Sequence, residues 1–182
     1  MTNVIAECRR LCPRRALSPW EAKSIAERQT HRFHAALRIT EPPFPIEAIE
    51  TLPRVEVRYV PARRFSGTVQ WRRGKWRIVI NSNESRRRQL FSLGHELKHV
   101  IDHPVCNAIY RDSRFGTAET AAERAADYFA ACLMMPRPWV KRCFYDEGFR
   151  DPRVLARRFR VSAPAMRFRF DQLGLREKEI AQ

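Results

Sequence analysis

The sequence predicts an α+β fold: a small mixed, largely antiparallel sheet packed on two central helices, followed by a helical C-terminal subdomain. Three observations carry this expectation. Short β-branched and aromatic segments cluster between residues 55 and 81; two longer segments, 85–104 and 117–135, return apolar residues at helical spacing; and residues 152–175 hold two shorter helical patterns. With 182 residues and 44% hydrophobic content, the chain can bury one real core with a small appendage. The expected organisation is an N-terminal extension at 1–17, a core at 18–145 and a helical subdomain at 146–182.

Ser18-Pro19-Trp20-Glu21 reads as an N-cap, a proline at the first helical position and an acid in the first turn. Ala22, Ile25, Ala26, Phe33, Ala36 and Leu37 then recur at helical spacing, so 18–39 is expected to be a helix. Glu41-Pro42-Pro43-Phe44-Pro45 cannot continue it, and 46–52 reads as a short helix. Val55–Val60 alternates with period two; 68–71 and 76–81 follow as strands between turns around Gly67 and Gly74. From Ser85, the residues Leu90, Phe91, Leu93, Leu97, Val100 and Ile101 form a helical face that Pro104 ends. A second helix is expected from Thr117 to Met135, stopped by Pro136. In the tail, Leu155, Ala156 and Phe159 precede a break at Arg160-Val161-Ser162, after which Ala165, Met166, Phe168 and Leu173 return.

The net charge of +15 is unevenly placed: residues 1–94 carry +11, 95–135 carry −2 and 136–182 carry +6. Basic flanks attract polyanions, so nucleic acid or an acidic protein is a natural partner class, although runs such as Arg86-Arg87-Arg88 also serve as plain solvated surface. No apolar run approaches the roughly 18 to 20 residues of a membrane helix, and no secretory leader pattern opens the chain, which points to a cytoplasmic protein with no membrane partner. The odd set of five cysteines, Cys8, Cys12, Cys106, Cys132 and Cys143, suits reduced thiols. Cys8 and Cys12 have no second pair at zinc-ligand spacing.

The middle segment carries the chemistry. His95 and His99 lie four apart, on one helix face about 6 Å from each other, so both imidazoles can reach one Zn²⁺. Glu96 then leans beside the ion, where it can take a proton from water and return it to a leaving amine. Chance alone yields such a pattern in on the order of one comparable chain in a hundred, so context decides. Catalytic zinc takes three protein ligands and keeps one position open. His103 is excluded as the third, because it stands roughly 12 Å from His95 along a straight helix. Glu123, on the next helix among Ala125, Ala126, Ala130 and Ala131, is the expected third ligand, with Glu119 the alternative. Asp127, one turn on, is placed to accept a hydrogen bond from a ligand histidine.

These residues lead to the expectation of a peptidase holding one Zn²⁺. The strand residues Ile78, Val79, Ile80 and Asn81 are expected to present a free edge to an extended substrate. Tyr110, Tyr128 and His103 remain open as donors to the tetrahedral intermediate.

Three blocks in order resemble the ImmA/IrrE family of zinc metallopeptidases: Ile78-Val79-Ile80-Asn81; the run Arg88 to His99 ending near His103; and Glu123 to Pro136. Ser66-Gly67 resembles the family's small loop before the sheet, and Phe159 to Leu175 its helical tail, so the likeness extends over most of the chain from about residue 18. The resemblance implies zincin-type active-site helices and a zinc endopeptidase acting on a DNA-binding repressor or antitoxin-like protein, with derepression of stress or mobile-element genes. Glu123 matches the family's glutamate ligand. Asp127 stands where Asn is common and Ala125 where a second Glu is frequent; the first keeps a hydrogen-bond acceptor.

The rival expectation is a regulator that retains the metal without using catalysis. The tail has helix-turn-helix spacing with Arg157, Arg158, Arg160, Arg167 and Arg169, through which it would contact DNA directly. The same break serves equally as an ordinary helical hairpin.

Overall fold

A computed structural model describes residues 3–111 and 116–175. In chain order the elements are α1 (Val4–Arg9), α2 (Pro19–Leu37), α3 (Glu47–Glu50), β1 (Val55–Val60), β2 (Gly67–Arg72), β3 (Lys75–Asn81), α4 (Arg86–Asp102), α5 (Cys106–Ile109), α6 (Ala118–Met134), α7 (Arg137–Tyr145), α8 (Pro152–Arg158) and α9 (Ala163–Leu173). The last residues of the expected tail, 176–182, lie outside the described residues, as do residues 1 and 2 of the expected extension.

The long helices begin where the sequence supplies caps. Ser18 accepts from the Glu21 amide while the Glu21 carboxylate accepts from the Ser18 amide, closing a capping box ahead of α2. Ser85 and Thr117 cap α4 and α6 by accepting from the amides of Arg88 and Thr120. Each such cap stabilises its helix by about 1 kcal/mol.

Helices α1, α5 and α7 escaped the sequence reading. α1 and α5 are too short to display a period, and Pro136, expected only to stop α6, also serves as the N-cap of α7. α1 is nevertheless part of the core: Val4, Ile5 and Cys8 are buried, and the Arg9 guanidinium donates to the carbonyls of Val100 (2.7 Å) and Ile101 (3.1 Å) near the end of α4. Those late carbonyls lack partners within the helix, so the cation satisfies them and complements the negative helix terminus.

The sheet runs β1-β3-β2, with β1 parallel and β2 antiparallel to β3. The β2–β3 hairpin closes through Arg73 (φ 50°) and Gly74 (φ 77°), a two-residue left-handed turn that matches the twist of the strands. β3 takes the centre because its inward residues are the most apolar of the three strands: Ile78 and Ile80 are wholly buried. This corrects one expectation. Both edges of β3 are hydrogen-bonded to neighbours, so Ile78, Val79, Ile80 and Asn81 offer no free edge; the outer edges belong to β1 and β2.

One continuous cluster of buried side chains runs from Val4 to Leu175, joining α1, the sheet, α4, α6 and the tail residues Leu155, Phe159, Met166 and Phe170. Each large side chain buried there contributes roughly 1.5–3 kcal/mol. Among the described residues, no helix is long and apolar enough to cross a membrane.

Candidate metal centre

α4 and α6 meet through small residues. A Cβ added at Gly94 would stand 3.4 Å from the Cα of Ala130, and Ala126 and Ala130 are wholly buried at the crossing. This close approach brings carboxylates of α6 onto the histidine face of α4. The His95 and His99 Nε2 atoms are 3.0 Å apart. Glu123 lies before both, with Oε2 3.2 Å from His95 Nε2 and Oε1 3.2 Å from His99 Nε2.

His95 Nδ1 sits 2.9 Å from the Asp127 carboxylate. Since a carboxylate only accepts, Nδ1 carries a proton, which leaves Nε2, the nitrogen facing Glu123 and His99, as the atom able to bind a metal. Two imidazole nitrogens and a carboxylate thus converge on one point, and the three side chains form a metal-capable group. Donor atoms on a tetrahedral zinc at about 2.0–2.2 Å stand about 3.3 Å apart. Each histidine nitrogen faces a different Glu123 oxygen, and one ligand atom from each of the three residues lies within 4.8 Å of the others, a spacing and donor set that a single ion can draw together. The Glu123 side chain is 54% exposed, which leaves one side of the site open to water and substrate.

Glu96 is 8% exposed and has no hydrogen-bond partner among the described residues. Burial pushes its carboxyl up to about 7; the nearby Glu123 charge adds to the rise and His95 opposes it. For His95 burial disfavours the proton, yet the Asp127 hydrogen bond and the fields of Glu96, Glu123 and Asp127 together hold it above its ordinary value. His99 is held below its ordinary value by burial and by the neighbouring His95. Gly67, at the start of β2, roofs Glu96. A Cβ there would come within 2.9 Å of Glu96 Oε1 and 3.2 Å of Ile80 Cδ1. In the sequence this glycine was visible as a turn signal and as part of the family-like loop before the sheet, with nothing to tie it to Glu96.

Other expected residues fall elsewhere. The Asn81 side chain accepts from the amides of Ala62 and Asn83, both at 3.0 Å, and so shapes the loop beyond β3. Glu119 stands in the first turn of α6, outside the convergent group. His103 caps α4 and lies edge-on to Trp76, with centroids 4.8 Å apart. Tyr110 is buried and donates to Asp102 (2.6 Å), and the Tyr128 hydroxyl donates to Glu27 (2.7 Å). Arg169, which the rival reading would set against DNA, is only 1% exposed; its Nε donates to the Met135 carbonyl (3.0 Å), tying α9 to the end of α6. Burial raises the Cys8 thiol to about 12 and the Cys12 thiol to about 11, and both sulfurs are engaged inside the core, Cys8 donating to the Gln29 carbonyl and Cys12 to Asp102.

Sequence reasoning missed a second polar cluster. Lys98 Nζ donates to Asp102 (2.8 Å) and Gln29 (2.7 Å), while Asp102 also receives the Tyr110 hydroxyl and the Cys12 thiol. The only signal available was an i,i+4 Lys–Asp pair, which is usually solvated.

In comparisons with known proteins, no curated protein matches the chain in sequence. The fold is similar to that of a solved Mycobacterium tuberculosis transcriptional regulator, with a TM-score of 0.65 at 16% identity over 92% of this chain and 51% of that one. The chain thus spans about half the length of that regulator. The M78 peptidase family model, described as the IrrE N-terminal-like domain, matches residues 51–171. That span holds the sheet, the histidine helix and the helix bearing Glu123, and so this chain belongs to the IrrE N-terminal-like family of M78 peptidases.

Proposed function

We propose that the chain is a zinc-dependent endopeptidase that cuts a peptide bond in a protein partner. The observation that carries this reading is the convergence of His95, His99 and Glu123 beside a buried Glu96 whose carboxyl is raised to about 7. His95, His99 and Glu123 hold the ion, and Asp127 fixes the orientation and tautomer of His95. Bound zinc supplies Lewis-acid polarisation of the scissile carbonyl and acidifies water in the site. Glu96 accepts a proton from the attacking water as the carbon–oxygen bond forms, then delivers it to the leaving nitrogen as the carbon–nitrogen bond breaks. A carboxylate beside the metal site is placed to make both transfers.

The substrate strand is reassigned to β2. It is a sheet edge, its first residue Gly67 lies against Glu96, and its unpaired side can take an extended chain by main-chain hydrogen bonds. Residues 18–145 serve as the catalytic unit, and α8 and α9, within the part from 146 onward, as a helical, helix-turn-helix-like unit. The family resemblance supports a DNA-binding repressor or antitoxin-like protein in the cytoplasm as substrate, with derepression of stress or mobile-element genes as the outcome.

A second reading, a regulator that keeps the metal without cleavage, draws on the fold likeness to a transcriptional regulator and on the exposed Arg157, Arg160 and Arg167. The two readings part at Glu96. Glu96→Gln is expected to retain one zinc per chain while cleavage of the partner falls by about 10²–10⁴-fold. Undiminished cleavage or derepression by that variant, measured alongside its zinc content, removes the catalytic assignment.

A further inference from the structure

A groove of about 1020 Å³ runs between the start of α4, the second half of α6 and the tail helices. Its floor is apolar, built by Leu90, Phe91, Met134, Met135 and Val161, with Phe168 standing 62% exposed on one wall. Its rim is basic: Lys23, Arg86, Arg87, Arg88 and Arg160 are all exposed there. Arg87 and Arg160 have no ion-pair partner among the described residues. The acid in the lining is Asp127, which is engaged by His95. The groove meets the metal centre at two points. Asp127 lies at one, and at the other Arg88 donates to Ser66 (3.4 Å), the residue before Gly67 and β2.

We infer that this groove is a docking site for an acidic amphipathic helix of the protein substrate, which it holds while the adjoining chain enters the metal centre. Charge complementarity selects the occupant: unpaired cations on the rim call for carboxylates, and a floor of leucine, phenylalanine and methionine calls for an apolar stripe. A phosphodiester backbone would answer the rim and leave the floor unfilled. A bilayer would require a protruding apolar surface, and this one is concave. The helical periodicity follows from the shape, because an amphipathic helix presents its apolar residues in one stripe with acids on either flank. The substrate role rests on the peptidase reading, whereas the binding itself does not.

The test uses the full chain carrying Glu96→Gln, loaded with zinc so that nothing is cleaved. The probe is a fluorescent peptide of about 16 residues with Leu and Phe at helical spacing and Glu on the other face. Saturable binding, read by anisotropy, is expected to weaken by roughly tenfold or more in the Arg87→Glu/Arg160→Glu variant and with added salt. Phe168→Ser, at an exposed position, is expected to weaken it at low and high salt alike. A peptide with Lys in place of Glu is expected not to bind. Failure of the probe to bind, equal binding by the variants, or full displacement by a single-stranded oligonucleotide overturns the docking site. A chain that cleaves its partner yet ignores the probe loses the groove and keeps the peptidase reading; one that binds the probe yet cleaves nothing keeps the groove and loses the catalysis.

Discussion

Helix α4 carries two buried charged clusters on adjacent stripes, and their difference separates structural from chemical polarity. Lys98 and Asp102, 2% and 3% exposed, are closed on themselves: the ammonium meets Asp102 and Gln29, and the carboxylate also receives Tyr110 and Cys12. A few residues away, Glu96 is almost as buried and has no hydrogen-bond partner among the described residues, and its carboxyl is displaced to about 7. A saturated buried pair specifies how helices assemble. A carboxyl set in a mostly buried wall with no protein partner stays available to a proton or a cation.

The largest expected effect tests the closed cluster. Asp102→Ala strands the Lys98 ammonium in the interior and is expected to cost about 3–5 kcal/mol in urea denaturation, whereas Lys98→Met/Asp102→Leu is expected to cost far less. An unchanged midpoint in Asp102→Ala would show that the cluster is solvated and end the contrast.

The next effect has the opposite sign. In chelator-treated protein the folded Glu96 binds its proton more tightly than the unfolded chain does, so its contribution is fully present below about pH 4.5 and is lost as pH rises through about 7. The loss amounts to about 3 kcal/mol by pH 8. Glu96→Gln should therefore stabilise the metal-free fold at pH 8, with little change at pH 4. Thermal melts at the two pH values would read this, and destabilisation at pH 8 would contradict it.

The smallest effect concerns Asp127. Removing the acceptor of the His95 Nδ1 proton by Asp127→Ala is expected to weaken zinc binding about 10–100-fold in chelator competition, while Asp127→Asn, which keeps an acceptor oxygen, should lose less. Equal affinities would mean that the carboxylate does not orient the ring.

Much of the site was legible because it is written in local spacing. A four-residue separation puts His95 and His99 on one face in any helix, and the alanines of α6 announce a close crossing that Glu123 and Asp127 can exploit. The edge strand was misread because alternation within a strand says which way side chains point and nothing about which strands flank it. Gly67 was undervalued for the same reason, since its lack of a side chain matters only once Glu96 lies beneath it.

The sequence by itself determined the long helices α2, α4 and α6, through caps at Ser18, Ser85 and Thr117 and the apolar period of 3.6, together with the spacing of the metal-capable residues on α4 and α6. Only the tertiary structure decided that β3 is central, that α1 belongs to the core, that Arg169 turns inward, and that Lys98 and Asp102 are closed while Glu96 stays open. The physical reason is range. Caps and periodicity act over one or two turns, whereas strand order, burial of charge and the groove beside the metal centre depend on residues 20 to 100 positions apart, as with Lys98 and Gln29 or Arg9 and Val100, which are 69 and 91 apart in the chain.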